Sequence, residues 1–199
     1  MQAVNQALRR IPSWVVYLIG LIPLGWLITR GVLGDLGVDP VRTVEHDLGL
    51  RALQWIVGGL AITPLRWLTG INLVRFRRAV GLVAFFYAAL HLSAWLLLDI
   101  QLHWGQVWAD ILRRPYITIG MLALLLMLPL AITSNTASIR WLGGARWQKL
   151  HRLVYVAAVA GAVHFLLVGK VWVGEALVYV ALVCGLLALR VTHRALRWP

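Results

Sequence analysis

Three stretches of this chain, residues 11–29, 79–98 and 115–139, contain no Asp, Glu, Lys or Arg. Each supplies the about 20 apolar residues that a helix needs to cross the hydrocarbon core of a bilayer. Three shorter stretches, 52–65, 153–169 and 176–189, are also free of charge. They span once the flanking Arg and Lys side chains snorkel to the interface. Backbone groups in lipid must be satisfied within the protein, so segments of this length and pattern form helices. The expectation is an all-α membrane protein, a bundle of six transmembrane helices. The spans fall at about 11–29, 48–68, 79–98, 115–133, 153–169 and 174–190, in a single transmembrane domain over residues 1–199.

Composition narrows this further. Charged residues make up 13% of the chain and hydrophobic ones 61%, where a soluble domain has about 25% charged. The longest connections, residues 30–47 and 99–114, are too short to hold a separate soluble domain. The first apolar stretch exceeds the apolar region of a signal peptide, and no small-residue cleavage site follows it, so it reads as a span rather than a leader. The single cysteine, Cys184, falls in the last span. That excludes an internal disulfide and a cysteine-ligated metal.

Charge orients the bundle. With both termini in the cytoplasm, the inner segments carry all but six of the 19 Lys and Arg residues. The exceptions are Arg30, Arg42, Arg51, Arg113, Arg114 and Lys170, on the outer side together with all 7 acids: Asp35, Asp39, Glu45, Asp47, Asp99, Asp110 and Glu175. The positive-inside rule selects this orientation, and the expected location is a bacterial inner membrane, which the chain crosses several times. The net charge of +12 is then a topology signal, and no folded basic surface remains for nucleic acid. The inner cations face anionic membrane lipid. Most tryptophans sit at span ends, Trp14, Trp67, Trp141, Trp147 and Trp198 inside and Trp26, Trp104, Trp108 and Trp172 outside, and read as interface anchors.

The histidines carry the chemistry. An ionisable residue within a span is costly to bury and marks a functional site by default. Counted from residue 79, His91 lies about 18 Å from the inner face; counted from residue 153, His164 lies about 17 Å from it. The two helices run in the same direction, so both imidazoles reach one level in the outer half. A lone membrane histidine is often only hydrogen-bonded to a carbonyl, but two at one height can clamp a haem iron from both faces. Zinc would want a third or fourth protein ligand, and no Cys, Asp or Glu is available at that height.

His151 lies about 20 Å below His164 along the helix, a spacing that suits a second cofactor near the inner face. Thirteen residues turn about 140° away from a shared face, so Gly161 or the helix entrance has to absorb rotation. Opposite His151 the chain offers Arg77 and Arg78 rather than histidine. Guanidinium suits a haem propionate or a flavin phosphate better than iron. The inner site thus reads as a less conventional haem or a different cofactor, with an interface histidine as the plainer alternative. His46 and His103, in the outer connections, and His193, in a basic C-terminal tail, read as solvated, with His46 or His103 available to a partner or quinone.

Five stretches resemble the MsrQ (earlier YedZ) family of haem-binding membrane subunits. They are Arg77-Arg78-Ala79-Val80-Gly81-Leu82 with Tyr87-Ala88-Ala89-Leu90-His91; Thr63-Pro64-Leu65-Arg66; Arg114-Pro115-Tyr116-Ile117 with Gly120; Pro129-Leu130-Ala131-Ile132-Thr133-Ser134; and Trp147-Gln148-Lys149-Leu150-His151-Arg152-Leu153-Val154-Tyr155 with His164 beyond it. The resemblance runs over about residues 62–164. It implies a ferric-reductase-like transmembrane fold with b-type haem, one or two per chain. Electrons would pass outward to a periplasmic molybdopterin enzyme that repairs oxidised methionine in envelope proteins. The implied donors are the quinone pool or a cytosolic flavin reductase, and FMN is an implied cofactor. By motif position, His91 and His164 would be axial ligands of one haem iron, and His151 would serve the inner cofactor with Arg77 or Arg78 in support. The arginines depart from the paired histidines common in the wider group.

An electron conduit agrees with what the residues lack. The chain shows no nucleophile–base pair, no carboxylate pair and no phosphate loop, so a cofactor has to carry any chemistry, and no substrate-converting site is expected in this chain alone. Three other classes fit less well. A cytochrome b anchor for another dehydrogenase shares the histidines but not the ordered motifs. A metal-ion reductase would work at the outer surface without a partner. A small transporter would show acids or broken helices at mid-membrane.

Overall fold

The computed structural model describes residues 1–169 and 174–195; Lys170, Trp172, Arg197 and Trp198 lie outside them. The described residues are helical with no strand, and six helices are long and apolar enough to cross a membrane. In chain order the elements are α1 (Gln2–Arg10), α2 (Val15–Val32), α3 (Pro40–Thr69), a 3₁₀ turn (Val74–Phe76) and α4 (Arg77–Ala94), whose last turn widens into a π-helical stretch (Trp95–Asp99). There follow α5 (Trp104–Arg113), α6 (Pro115–Ile132), α7 (Thr136–Leu142), α8 (Gly144–His151), α9 (Leu153–Val168) and α10 (Gly174–Ala195).

Local chemistry sets where these helices begin and end. Pro12 bars its predecessor from helical geometry, and Ile11 is extended (φ −73°, ψ 119°). The first span therefore starts at Val15 instead of residue 11. Asp39 caps α3 by accepting the Arg42 N–H at 3.0 Å, and Pro40 sits at N1, where no N–H is needed. That cap starts α3 well before the charge-free stretch, so His46 lies on a helix and not in a connection. Gly70 ends α3 in the left-handed conformation (φ 75°). His193 is likewise on α10, its ring stacked at 3.8 Å on Trp67, where a solvated tail was expected. His103 precedes α5 and bonds the Ile100 carbonyl through Nδ1 at 2.8 Å.

The core is built from four helices. α3 packs along α4 and α6 along α9, while α4 touches α6 and α3 touches α9; α10 covers α3 and α9, and α2 covers α3 and α4. Small residues allow the close approach: Ala84 on α4 and Ala157, Ala158 and Ala162 on α9 are buried with Leu53, Ile56, Leu60, Met127 and Val183. Without a hydrophobic force between helices in lipid, such small-residue contacts and interhelical hydrogen bonds drive association. Gly20 of α2 does the same work, since a Cβ there would meet Val83 Cγ1 at 2.7 Å. One turn along α4, the fully buried Tyr87 donates its hydroxyl to the Gly20 carbonyl at 2.6 Å. Outward faces are apolar, with Ile22 68% and Leu125 59% exposed, which in a bilayer is contact with acyl chains.

Pro64 lies inside α3. It has no N–H for the carbonyl one turn back, that of Leu60. Arg190 of α10 supplies the missing donor, Nη2 to Leu60 O at 2.7 Å. The helix break and the cation that repairs it thus form one interhelical contact.

Charges gather at the two ends. Asn5 of α1 donates to the Gly70 carbonyl at 3.0 Å and accepts the Asn72 N–H at 2.9 Å. Arg75 donates to the carbonyls of Leu8 and Arg9, at the C-terminal end of α1, a placement the helix dipole favours. These contacts fasten the N-terminal helix over the α3–α4 connection. At the opposite end α5 exposes Trp104, Trp108 and Leu112, spaced four apart and so along one face, as an interface-lying helix does.

Candidate functional site

α4 and α9 stand diagonally in the four-helix core, and each aims one histidine toward its axis. His91 of α4 bonds the Glu45 carbonyl of α3 through Nδ1 at 2.8 Å. His164 of α9 bonds the Tyr116 carbonyl of α6 through Nδ1 at 2.7 Å. A carbonyl only accepts, so in both rings Nδ1 carries a proton, and in the neutral imidazole Nε2 then keeps its lone pair. The two ring centroids are 6.1 Å apart with planes at 70°. The residues that the helical rise placed at one depth are therefore neighbours.

Both imidazoles rest on a glycine. A Cβ on Gly49 would come within 3.1 Å of His91 Cε1 and Nδ1, and one on Gly120 within 2.7 Å of His164 Nδ1. The two cradles share one plan: the carbonyl that accepts Nδ1–H belongs to Glu45 or Tyr116, and the glycine follows four residues later, one turn along the same helix. Sequence reasoning did not single out Gly49, and took Gly120 only as part of a motif. A glycine one turn after an X whose carbonyl faces inward is the signal, but it requires knowing which helix the histidine meets.

Two imidazoles make an incomplete protein-only metal site. Among the described residues no group of three or more His, Cys, Asp or Glu converges. The donor set suits a metal that brings its other ligands, as haem iron does. An imidazole nitrogen sits about 2 Å from a bound metal, which sets two rings on opposite sides of one ion roughly 6 Å apart, centre to centre. The observed 6.1 Å has that spacing, and the free Nε2 atoms and the glycine cradles fit as well. His46 of α3 stands 5.7 Å from the ring of Phe165, the residue after His164, and Phe165 in turn stands edge-on to Tyr179 of α10 at 5.9 Å.

The second cluster lies nearer the N-terminal end. α8 stops at His151 and α9 starts at Leu153, with Arg152 between them. The helical path is thus interrupted at Arg152, while Gly161 lies inside the continuous α9. His151 stacks on Trp147 at 3.8 Å and places Nε2 3.1 Å from the Thr133 hydroxyl. Trp147 Nε1 donates to the Thr133 carbonyl at 2.9 Å, and Arg78 Nε donates to the Ser134 carbonyl. Three side chains from α4 and α8 thus converge on the C-terminal end of α6. Arg77, the residue before Arg78 on α4, lies on the side of Arg190 and Tyr155. Adjacent residues on a helix point about 100° apart, so the two arginines serve different faces.

Residues 48–162 match the family described as ferric reductase like transmembrane component. Proteins of Brucella ovis, Brucella suis and Brucella abortus, each described as protein-methionine-sulfoxide reductase heme-binding subunit MsrQ, are 49% identical to this chain over 184 residues. The aligned region covers 92% of this chain and 83% of each relative. It contains both glycine-cradled histidines and the His151 cluster. A paired-imidazole core in a six-span bundle, a family match across that core and near-half identity over almost the whole length agree: the chain belongs to the ferric reductase like transmembrane family, among its MsrQ members.

Proposed function

We propose that this chain is the haem-carrying membrane subunit of a methionine-sulfoxide reductase system, taking electrons at the inner face and delivering them to a periplasmic molybdopterin enzyme that repairs oxidised proteins. The observation that carries the reading is the His91–His164 pair, with both Nδ1 protons fixed on main-chain carbonyls. The residues fit a b-type haem, which supplies one-electron redox chemistry when bound. His91 and His164 would hold the haem through their Nε2 atoms. The carbonyl bonds hold each ring in its ligating tautomer, and such partners raise ligand basicity and fix orientation.

Direction follows from charge. The basic segments lie at the end that holds α1, and the acids at the other, which by the positive-inside rule puts the N-terminus in the cytoplasm. The His151–Arg78 cluster, with Arg77 on the neighbouring face, is then the inner cofactor site, for a flavin such as FMN or a second haem. It offers a guanidinium to an acidic group, but no imidazole opposite His151 among the described residues. The donor, reduced quinone or a cytosolic flavin reductase, would act on that side.

The overall test uses sealed vesicles of defined orientation, with reductant supplied on the inner face and the partner reductase with methionine sulfoxide on the outer. Sulfoxide reduction should require this chain and an intact His91–His164 pair. Equal reduction in vesicles lacking the chain would refute the conduit. The inner cluster has its own test: His151→Ala should leave the low-spin haem spectrum in place while haem reduction by the inner donor slows by about tenfold or more. Loss of all haem in that variant would instead make His151 a ligand of the main haem.

A further inference from the structure

At the N-terminal end of the bundle, α3, α9 and α10 diverge around a cavity of about 410 Å³ lined by Thr63, Trp67, Tyr155, Leu187, Arg190 and Val191. Its polar atoms are mostly donors. Arg190 uses Nη1 on the Tyr155 hydroxyl at 3.0 Å and Nη2 on the Leu60 carbonyl at 2.7 Å. Its Nε is buried without a partner among the described residues, and so is the Thr63 hydroxyl. Two unsatisfied polar groups on one cavity, each costing on the order of 1–3 kcal/mol when left unpaired, point to an acceptor from outside the chain.

That acceptor carries negative charge. Arg77 stands close enough to Arg190 for the two cations to repel each other, and neither takes part in an ion pair among the described residues. All 7 acids of the sequence belong to segments at the opposite end. A partly buried guanidinium without counter-charge is expensive. The rim is of a different kind. Leu68 (75% exposed) and Val191 (69% exposed) present apolar faces of α3 and α10 beside the cavity, and Trp67 stacks on His193 there. An occupant must therefore be anionic at one end and apolar at the other.

We propose that this cavity binds the headgroup of an anionic phospholipid from the inner leaflet, with Arg190 and Thr63 on the phosphate and the acyl chains along α3 and α10. Basic pockets between transmembrane helices on the cytoplasmic side hold such headgroups, and the Arg190 Nε–H and the Thr63 hydroxyl are the donors left to meet a phosphate oxygen. The cavity is lined by other residues than the His151–Arg78 cluster, which α4, α6 and α8 build, and Arg77 stands between the two. The lipid would join α10 to α3 at the point where Pro64 interrupts the helix.

The test takes the full chain with its haem in mild detergent and titrates phosphatidylglycerol or phosphatidylcholine of identical acyl chains. Retained lipid is counted by native mass spectrometry, and the thermal midpoint is followed. Phosphatidylglycerol should be retained and raise the midpoint, and phosphatidylcholine should do neither. Arg190→Gln should weaken retention by about tenfold. Thr63→Val, which leaves the Arg190 contacts with Leu60 and Tyr155 in place, should weaken it several-fold with the haem spectrum unchanged, and it serves if Arg190→Gln does not fold. Equal retention of the two lipids, or full retention in Thr63→Val, overturns the proposal. So does displacement of phosphatidylglycerol by millimolar inorganic phosphate, which would make this a site for soluble anions.

Discussion

Replacing either His91 or His164 with alanine is expected to remove the low-spin b-type spectrum, in oxidised and reduced states alike. The two rings stand 6.1 Å apart by centroid, and each has one nitrogen not engaged by a carbonyl. No third ligating side chain stands by among the described residues. Losing one of the two imidazoles would leave a haem held by one side chain only, and the haem content should fall by about tenfold or more. The protein itself should still insert, because the rings contribute one carbonyl bond each to packing that rests on Leu53, Ile56, Leu60 and the α9 alanines. Optical spectra and haem per chain in the purified variants check this. Full low-spin haem in either variant would dismantle the pairing.

The second large effect is expected where no ligand is touched. Gly120→Ala places a methyl 2.7 Å from His164 Nδ1, closer than carbon and nitrogen tolerate, and directly against the bond to the Tyr116 carbonyl. The ring has to move, and overpacking of this kind costs about 1–3 kcal/mol. The outcome expected is a loss of haem affinity of roughly 10–100-fold, the range for disturbed outer-shell contacts. Gly49→Ala meets His91 at 3.1 Å, a contact that a few tenths of an ångström relieve. It should therefore retain haem with an altered spectrum or reduction potential. The graded pair separates crowding from a general intolerance of alanine: Gly58→Ala, with nothing within 4 Å, should be silent. Equal haem binding by Gly120→Ala and the unmodified chain would show that the cradle has no such role.

How much of this could be read before any coordinates depends on which quantity decides each feature. The depth of His91 and His164 follows from a fixed rise per residue, so their meeting was legible from the chain. The six spans were legible because lipid leaves few alternatives for long apolar segments. The starts of α2 and α3 were set by single residues, Pro12 and Asp39, whose local effect outweighs the absence of charge. His46 was placed in a connection because Arg42, Glu45 and Asp47 look like a loop beside an apolar run; the cap at Asp39 and Pro40 carries the helix through them. Gly49 stayed hidden for another reason. Glycine is common in membrane helices, and its meaning depends on a neighbour that only packing reveals. The parting of Arg77 from Arg78 was within reach, since consecutive helical residues cannot share a face.

The acceptors that orient both imidazoles are the peptide carbonyls of Glu45 and Tyr116. In many metal proteins that position is held by a carboxylate, which one codon change can delete. Here no side-chain substitution at residue 45 or 116 removes the acceptor, because every amino acid carries the same oxygen. The orientation of the ligands is thereby shielded from drift at those two positions and exposed at others: the helical path through α3 and α6, and the two glycines that let the rings approach it. Lineages can recolour the side chains around these oxygens freely, so variation at 45 and 116 would say little about whether the ligands remain in place, whereas a new proline in either turn would say a great deal.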